Sequence, residues 1–153
     1  MSKNHEFEHG AKKRGKKAII FDLDGTLADT DDPNAHHKKN HQGFRDHAAG
    51  ADAIPEMVDK VRKAKDKGQE VVILTARSAH YRKDTKTWLN EHGIPHDALF
   101  MRPIDDDRKD KVVKESLLKK EVLPNFKVKK AYDDKAKNVK MFRNEGIKAK
   151  KVN

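Results

Sequence analysis

Short apolar runs alternate along the chain with segments of helical periodicity, and this alternation limits the folds open to it. Residues 18–21 (AIIF) and 71–74 (VVIL) are β-prone runs without a polar face, which is typical of strands buried on both sides of a sheet. Strands that alternate with helices favour right-handed crossovers and a parallel sheet. We therefore predict an α/β fold around a central parallel sheet.

The remaining elements continue the same alternation. They are helices around 54–64, 81–92, 109–122 and 135–145, and strands at 98–101 and 128–132. Gly68, Pro124 and Gly146 end three of these helices. In a parallel sheet the chemistry gathers at the carboxyl ends of the strands, so polar residues that follow strands form the candidate site.

Two polar segments stand outside the alternation. Residues 1–16 are rich in Lys and His and lack periodicity, so we expect a disordered basic tail before a single domain at 17–153. Residues 29–53 are rich in His, Asp and Lys and follow the first predicted strand. An insertion of this kind in a compact domain is predicted to be a small cap or flap.

The composition is strongly basic and contains no cysteine. Thirty-five Lys and Arg residues against 25 Asp and Glu give a net charge of +10, which favours polyanionic partners, nucleic acid first. A lysine-rich coat that only keeps the protein soluble would give the same total. The lack of cysteine excludes disulfides, thiol catalysis and Cys-ligated zinc. No apolar run approaches the roughly 20 residues of a membrane span, and no secretory signal is found, so we expect a cytoplasmic protein without a membrane partner.

The strongest chemical signal is Asp22-Leu23-Asp24-Gly25-Thr26 at the end of the first predicted strand. Two carboxylates at i and i+2 of an extended backbone lie on the same side, so both reach one site. Gly25 and Thr26 let the chain turn away and supply backbone donors. Such a pair can hold Mg²⁺ or provide a nucleophile. Two solvated, turn-forming aspartates are the alternative interpretation.

Two further polar clusters follow predicted strands. Thr75 ends the second apolar run and precedes Ala76 and Arg77, and a hydroxyl, a backbone N–H and a guanidinium there suit a phosphoryl group. Asp133 and Asp134 follow the strand before the last predicted helix, where their repulsion favours a bound cation. Helix capping by Thr75 and by Asp134 is the structural alternative.

A lysine is needed to neutralise these carboxylates, and Lys109, Lys111 and Lys114 share one predicted helix. The residues alone do not choose among the three. Histidines of the polar insertion offer a zinc site as an alternative, although surface histidines that face a phosphate are the simpler interpretation. These histidines are His36, His37, His41 and His47.

In this order the motifs resemble those of the haloacid dehalogenase (HAD) superfamily of phosphatases, over nearly all of residues 17–152. The resemblance implies a three-layer Rossmann-like HAD fold with a small cap insertion after the first strand. The residues that match the superfamily's motifs are the nucleophile Asp22, the general acid/base Asp24, the phosphate-binding Thr75 and the metal-binding pair Asp133 and Asp134.

A closer resemblance is to the phosphatase domain of phage-type polynucleotide kinase/3′-phosphatases. It rests on FDLDGTLA, on Thr-Ala-Arg where that family has Ser-Gly-Arg, on the helix at 81–88, and on RKDKVVKE and AYDDK. It places the family's catalytic lysine on Lys114. The chain has no Gly-rich loop ending in Gly-Lys-Ser/Thr, so no kinase site is expected in it. No arginine of residues 29–53 aligns with the family's phosphate-site arginine.

The resemblance implies a Mg²⁺-dependent phosphomonoesterase with an aspartyl-phosphate intermediate. It also implies that such an enzyme removes 3′-phosphates from nucleic-acid ends, in DNA or RNA repair. Mg²⁺ is expected on the Asp22 carboxylate, the Asp24 carbonyl and Asp134, with Asp133 acting through water. The phosphoryl oxygens are expected to contact Thr75, Ala76, Arg77 and Lys114.

Two other functions remain open, namely the same chemistry on a mononucleotide or small phosphorylated metabolite, and a non-catalytic basic nucleic-acid-binding module. The expected partner is nucleic acid with a terminal phosphate, without an obligate protein partner, in a bacterial or phage-infected bacterial cell. Basic residues near the predicted loops are expected to track the phosphate backbone. These are Lys38, Lys39, Arg45, Arg82, Lys83, Arg102 and Arg108.

Overall fold

The computed structural model describes residues 5–7, 15–30 and 41–153. Within these ranges six strands form one sheet in the order β1-β4-β3-β2-β5-β6. The strands are β1 (His5–Phe7), β2 (Lys16–Phe21), β3 (Glu70–Ser78), β4 (Ala98–Arg102), β5 (Phe126–Asp133) and β6 (Lys148–Lys151). Strands β2 to β6 pair in parallel, and β1 pairs antiparallel with β4 at one edge.

Helices cover both faces of the sheet. They are α1 (His41–Ala49), α2 (Pro55–Asp66), α3 (Arg82–Glu91), α4 (Asp110–Leu117) and α5 (Ala136–Asn144). A 3₁₀ turn at Ala79–Tyr81 precedes α3, and a π-helical turn at Leu118–Val122 extends α4. Residues of α2 and α3 share one buried cluster with the sheet, and residues of α4 and α5 share the other. The predicted α/β architecture of three layers around a parallel sheet is confirmed.

The central strands carry the candidate site because their carboxyl ends meet at one edge. Phe21 at the end of β2 lies opposite Tyr132 of β5 and Ile73 of β3. The residues that follow these positions are therefore neighbours in space, although the sequence separates them by many tens of positions. Pairing between β3 and β4 shifts register between Thr75 and Ser78, so the candidate phosphate-binding segment lies in an irregular stretch of strand.

Four features differ from the sequence-based expectations. Residues 5–7 of the predicted tail form β1, and Lys16 already belongs to β2. Part of the predicted flap, His41–Ala49, is helix α1. Strand β6 was not predicted.

The predicted zinc and phosphate contacts of His36, His37, Lys38 and Lys39 lie outside the described residues. No helix in the described part of the chain is long and apolar enough to cross a membrane.

Candidate active site

Asp22 lies at the centre of the site. It directly follows β2, and its backbone N–H donates to the carbonyl of Tyr132 on β5 at 3.0 Å. Its carboxylate is buried with both oxygens engaged. Oδ1 accepts from Lys114 Nζ at 2.6 Å, and Oδ2 accepts from Thr26 Oγ1 at 3.0 Å. These two hydrogen bonds fix the carboxylate in one orientation.

Lys114 supplies the positive charge of the site from helix α4. The buried side of this helix consists of Val113, Lys114 and Leu117, which brings the lysine beneath the strand ends. Its Nζ donates to Asp22 Oδ1 and to Asp133 Oδ2, each at 2.6 Å. Burial lowers the pKa of Lys114, but the charges of Asp133 and Asp22 outweigh this and raise the pKa above its ordinary value. The lysine is therefore charged, and it bridges two strands.

The other two candidate lysines of this helix lie elsewhere. Lys109 and Lys111 are exposed. Of the three, the structure brings Lys114 to the carboxylates.

Three carboxylates form an acidic cluster, Asp22, Asp133 and Asp134, and offer oxygens that all lie within 4.8 Å of one another. Burial raises the pKa of Asp22 well above its ordinary value, Asp133 adds to the rise, and Lys114 opposes it. Burial also raises the pKa of Asp134, with a further contribution from Asp133. One lysine therefore does not balance the three negative charges, and a cation there would stabilise them.

The donor set of the acidic cluster fits a divalent cation such as Mg²⁺. The Asp133 carboxylate is already engaged by Lys114 at 2.6 Å and by Asn138 Nδ2 at 3.2 Å. Asp134 Oδ1, in contrast, is buried without a hydrogen-bond partner. Carboxylate and carbonyl oxygens are the ligands that Mg²⁺ prefers. Asp134 is thus the side chain with a buried oxygen still available to such an ion, and the Asp22 carboxylate lies in the same cluster.

Gly25 makes room for Asp134. Its φ of +83° lies in the left-handed region, and a Cβ at this position would collide with the Asp134 carboxylate. The glycine therefore serves both the turn after β2 and the close approach of β5 to that turn.

Asp24 follows Asp22 by two residues, and its carboxylate is bound by a different set of partners. Arg77 donates to it from Nε at 3.2 Å and from Nη2 at 2.6 Å, and Thr30 Oγ1 donates at 2.5 Å. The guanidinium also donates to Thr85 Oγ1 at 2.9 Å and lies 5.1 Å from the ring centre of Phe44. Arg77 is only 3% exposed, so its guanidinium faces Asp24 rather than the open cleft.

The cleft itself is narrow and lies at the strand ends. Thr75 and Ala76 of β3 line it together with Asp22, Asp24 and Lys114. Asp110 and Asn138, from the first turns of α4 and α5, and Lys135, which precedes α5, complete the lining. The structure thus brings the sequence-predicted site residues together, except that Arg77 lies behind Asp24 and Asp133 lies behind Lys114.

Sequence reasoning missed four residues that hold these groups in place, and it gave Thr26 a backbone role without its side-chain contact to Asp22. The four are Thr30, Phe44, Thr85 and Asn138. The Thr26 contact had a signature in the sequence, because a tight turn after Asp22 brings the chain back towards the Asp22 side chain. Asn138 also carried one, because it lies in the first turn of the helix that follows Asp133. The other three contacts depend on the tertiary arrangement and have no local signature.

Several basic residues expected to track a phosphate backbone are engaged within the fold. Arg102 is 3% exposed and donates to the carbonyl of Ala76 at 2.8 Å and to Asp110 at 2.6 Å, so the prediction for this residue is wrong. Arg45 pairs with Asp84 at 3.1 Å. Arg82 donates to the Leu99 carbonyl, and Arg108 pairs with Asp106. Lys83, in contrast, is exposed.

No histidine among the described side chains takes part in the acidic cluster. The group of three or more potential metal ligands within reach of one another there consists of aspartates alone. His47 lies on α1 and does not belong to this group.

Comparison with known proteins adds a family and a set of similar structures. The family described as the phosphatase domain of polynucleotide kinase PNKP matches residues 16–153. A chain from the structure of a Pnkp1/Rnl/Hen1 complex is 31% identical with a TM-score of 0.79, over 91% of this chain and 46% of that one. A chain from the Pnkp1/Rnl/Hen1 RNA repair complex is 28% identical with a TM-score of 0.78, over 97% of this chain and 47% of that one.

The similarity extends beyond these complexes at the level of fold. A haloacid dehalogenase-like hydrolase from Streptococcus pneumoniae is 16% identical with a TM-score of 0.60, over 89% of this chain and 84% of that one. The present chain spans about half the length of the two more similar chains. Because both of those were solved within a complex, the expectation of no obligate protein partner finds no support in them.

Proposed function

The chain belongs to the phosphatase-domain family of polynucleotide kinase PNKP, and from this premise we propose that it is a Mg²⁺-dependent polynucleotide 3′-phosphatase with Asp22 as nucleophile. The chain is a phosphatase of the HAD type. The metal, the covalent intermediate and the polynucleotide substrate are the proposed part. The observation that carries the proposal is the Asp22 carboxylate, fixed between Lys114 and Thr26 at a cleft that also exposes Thr75.

The first proposed step transfers the phosphoryl group to Asp22. A carboxylate oxygen forms a bond to phosphorus while the bond from phosphorus to the ester oxygen breaks, and Asp24 gives a proton to the departing alkoxide. Thr75 and the backbone of Ala76 face the same cleft and bind the phosphoryl oxygens. Asp22 needs little reorganisation, because two hydrogen bonds already orient it.

The second proposed step hydrolyses the aspartyl-phosphate. Asp24 takes a proton from water, and the resulting hydroxide attacks phosphorus, which releases inorganic phosphate and restores the Asp22 carboxylate. The ion pair with Arg77 corresponds to the ionised Asp24 that this step requires, and the proton that Asp24 takes from water is the one it donates in the first step of the next cycle. Arg77 thus positions the general base, and Thr30 and Thr85 hold the pair in place.

Lys114 is placed to balance negative charge both before and after Asp22 reacts. Lys114 balances Asp22 and Asp133 while the phosphate is absent, and its charge lies next to the transferred group once Asp22 has reacted. Bound between Asp22, the Asp24 carbonyl and Asp134, Mg²⁺ would supply the remaining positive charge and polarise a phosphoryl oxygen.

A polynucleotide substrate is supported by two observations. The net charge is +10, which attracts a polyanion. One similar chain comes from a structure described as an RNA repair complex. A small metabolite would not require the first property, which is why polymer and monomer are compared directly in the test.

The test is phosphate release from a 3′-phosphorylated oligonucleotide, its 5′-phosphorylated counterpart and a 3′-mononucleotide. We expect the 3′-oligonucleotide to be the best substrate and EDTA to stop turnover. Asp22→Asn should abolish release while the protein stays folded. Asp59→Asn changes an exposed aspartate of α2 in the same way and should be silent.

Three results would contradict the proposal. They are release that survives Asp22→Asn in a folded protein, release that survives thorough chelation, and equal use of mononucleotide and oligonucleotide. Mass spectrometry of a rapidly quenched reaction should show one added phosphoryl group on the peptide that contains Asp22.

A further inference from the structure

A second, larger groove lies beside the catalytic cleft, between α4 and α5. Its volume is about 740 Å³. Five lysines line it, namely Lys109, Lys111, Lys135, Lys137 and Lys140. We call it the α4–α5 groove.

The α4–α5 groove opens onto the catalytic cleft. Asp110, Lys135 and Asn138 line both spaces, so a ligand can pass from one to the other without leaving the surface of the protein. On α5 the lining residues Lys137, Lys140 and Asn144 recur at i, i+3 and i+7, so one side of this helix forms a wall.

Part of the positive charge of the α4–α5 groove has no partner in the described part of the chain. Its one acidic lining residue, Asp110, is paired with Arg102 at 2.6 Å. Lys137 and Lys140 are exposed, and neither forms an ion pair with any part of the chain that the structure describes. The net potential of the groove is therefore strongly positive.

The positions of the lysines on their helices add an independent argument. Lys109 and Lys135 are the residues that precede the first turns of α4 and α5, and Lys111 and Lys137 lie in those turns. A helix dipole favours acidic residues there and disfavours lysine, typically by about 0.3–1 kcal/mol for each charge. These lysines therefore weaken the helices that carry them, and a bound anion would relieve both the dipole and the mutual repulsion.

We propose that the α4–α5 groove binds the sugar–phosphate backbone of the strand whose terminal phosphate enters the catalytic cleft. The proposal rests on the proposed polynucleotide 3′-phosphatase function and adds where the nucleotides before the terminal one lie. Continuity with the cleft favours a strand over an acidic protein segment, because a protein docked there would block the approach of the terminal phosphate. Lys137 and Lys140 hold backbone phosphates, and Lys135 lies between them and the cleft.

A second lysine-lined hollow provides a matched control. It measures about 430 Å³, lies on the α2 face of the sheet between α2 and β5, and shares no lining residue with the catalytic cleft. Lys63 and Lys67 line it and are exposed, like Lys137 and Lys140. Replacing either pair by alanine removes the same charge.

The test compares Lys137→Ala/Lys140→Ala with Lys63→Ala/Lys67→Ala. Binding of a fluorescent 3′-phosphorylated oligonucleotide is measured by anisotropy in EDTA, and kcat/KM is measured with Mg²⁺ for the oligonucleotide and for a 3′-mononucleotide. We expect the groove variant to lose oligonucleotide affinity, and to lose more kcat/KM on the oligonucleotide than on the mononucleotide. Its log–log salt slope should become shallower by about 0.7 for each lysine removed, as for single strands. The control variant should match the wild type.

Thermal stability separates a binding role from a structural one. Because Lys137 lies at the unfavourable end of a helix dipole, the groove variant should melt at or above the wild-type temperature while it binds the oligonucleotide less well. A groove variant that melts lower and binds less well would assign these lysines to the fold and overturn the proposal.

Other outcomes point elsewhere. Unchanged oligonucleotide binding in the groove variant overturns the proposal, and loss in the control variant instead places the strand on the α2 face. A groove variant that loses affinity for an acidic peptide but not for the oligonucleotide assigns the groove to a protein partner. If the wild type binds the oligonucleotide through the groove but releases phosphate from no substrate, the proposed function fails while the binding surface stands.

Discussion

At the scale of single residues, the site has several buried negative charges and few positive groups that balance them. Asp22, Asp133 and Asp134 share one buried lysine, and that lysine is only 2% exposed. Removing one member of a buried, hydrogen-bonded charge set leaves the others without compensation, which typically costs several kcal/mol. Stability and activity therefore respond to the same side chain.

Lys114→Met keeps most of the side-chain volume and removes the charge. We expect a loss of about 3 kcal/mol or more of unfolding free energy, because Asp22 and Asp133 then face each other without their shared donor. Turnover should fall to near background. Urea denaturation and phosphate release measure the two effects.

Lys120→Ala is the control for that variant, since Lys120 is an exposed lysine beyond the end of α4. It should leave both stability and turnover unchanged. Mild and similar effects of the two substitutions would show that the neutralising charge comes from another residue.

Asp134 gives a prediction about pH. Burial, with Asp133 adding to it, raises the pKa of Asp134 in the folded protein. A carboxyl group whose folded pKa is raised stabilises the fold at low pH, and this contribution is lost as the pH rises from the ordinary aspartate value through the raised value. Asn cannot ionise, so Asp134→Asn escapes this loss.

The expected result concerns the difference in melting temperature between Asp134→Asn and the wild type in EDTA. The difference should be small near pH 4, should grow in favour of the variant as the pH rises, and should then level off. Melting curves across a pH series measure it. A difference that is independent of pH would show that Asp134 titrates normally.

At the scale of elements, apolar runs made the buried strands predictable. Residues 18–21, 71–74 and 98–101 lie within β2, β3 and β4, because strands covered on both faces need continuous apolar sequence. Edge strands lack this requirement. Strand β6 (KAKK) has one partly buried alanine among exposed lysines, so its sequence resembles that of a loop.

Helix α1 was not predicted for a related reason. Its buried side consists of Phe44 and Ala48, too few apolar positions to show a period in a segment rich in His and Asp. The contacts that hold it are tertiary. Phe44 packs 4.8 Å from the ring of Tyr81 and 5.1 Å from the Arg77 guanidinium.

Phe44→Ala should therefore loosen α1 and disturb the general base at the same time. Truncation of a buried phenylalanine typically costs about 3–5 kcal/mol. Relative to the wild type, we expect hydrogen exchange to speed up more in α1 than in the sheet. We also expect a lower kcat with little change in KM, since Arg77 holds Asp24 rather than the phosphate.

Phe44→Leu is the matched control, because it keeps an apolar side chain and should restore most of the protection of α1. A rise in KM with unchanged kcat in Phe44→Ala would instead indicate that Arg77 contacts the substrate, as the sequence suggested.

At the scale of the whole molecule, the candidate site could be predicted where it follows from strand ends. Asp22 follows β2, Asp133 ends β5, and Thr75 lies where the pairing of β3 with β4 becomes irregular, and the parallel topology brings them together. Which of the three candidate lysines reaches the carboxylates depends on how α4 is rotated against the sheet. The lysine positions alone do not determine this rotation. The support that Thr85 gives to Arg77 depends on packing between two separate elements, β3 and α3, which the sequence does not show.

The distribution of charge over the surface could not be predicted from the sequence either. The net charge of +10 indicated a polyanionic partner, but the arginines chosen from their loop positions are largely engaged in the fold. On α5, Lys137 and Lys140 are exposed and form no ion pair with the described residues, but evenly spread lysines in the sequence do not indicate which face of a helix is used.

The last prediction concerns metal and global stability. The acidic cluster joins the ends of β2 and β5, the two central strands with the longest register, so an ion held there should stabilise the whole sheet rather than one loop. At a hundredfold excess over its dissociation constant, a ligand specific for the folded state contributes about 2.7 kcal/mol. For a domain of this size, that corresponds to roughly 5–10 °C in melting temperature.

We expect Mg²⁺ to raise the melting temperature of the wild type by this amount and to affect the melting temperatures of Asp22→Asn and Asp134→Asn much less. Asp59→Asn, which alters an exposed aspartate remote from the cluster, should respond like the wild type. If zinc stabilises the protein where Mg²⁺ does not, and His47→Ala removes the effect, the metal site belongs to the histidines and not to the acidic cluster.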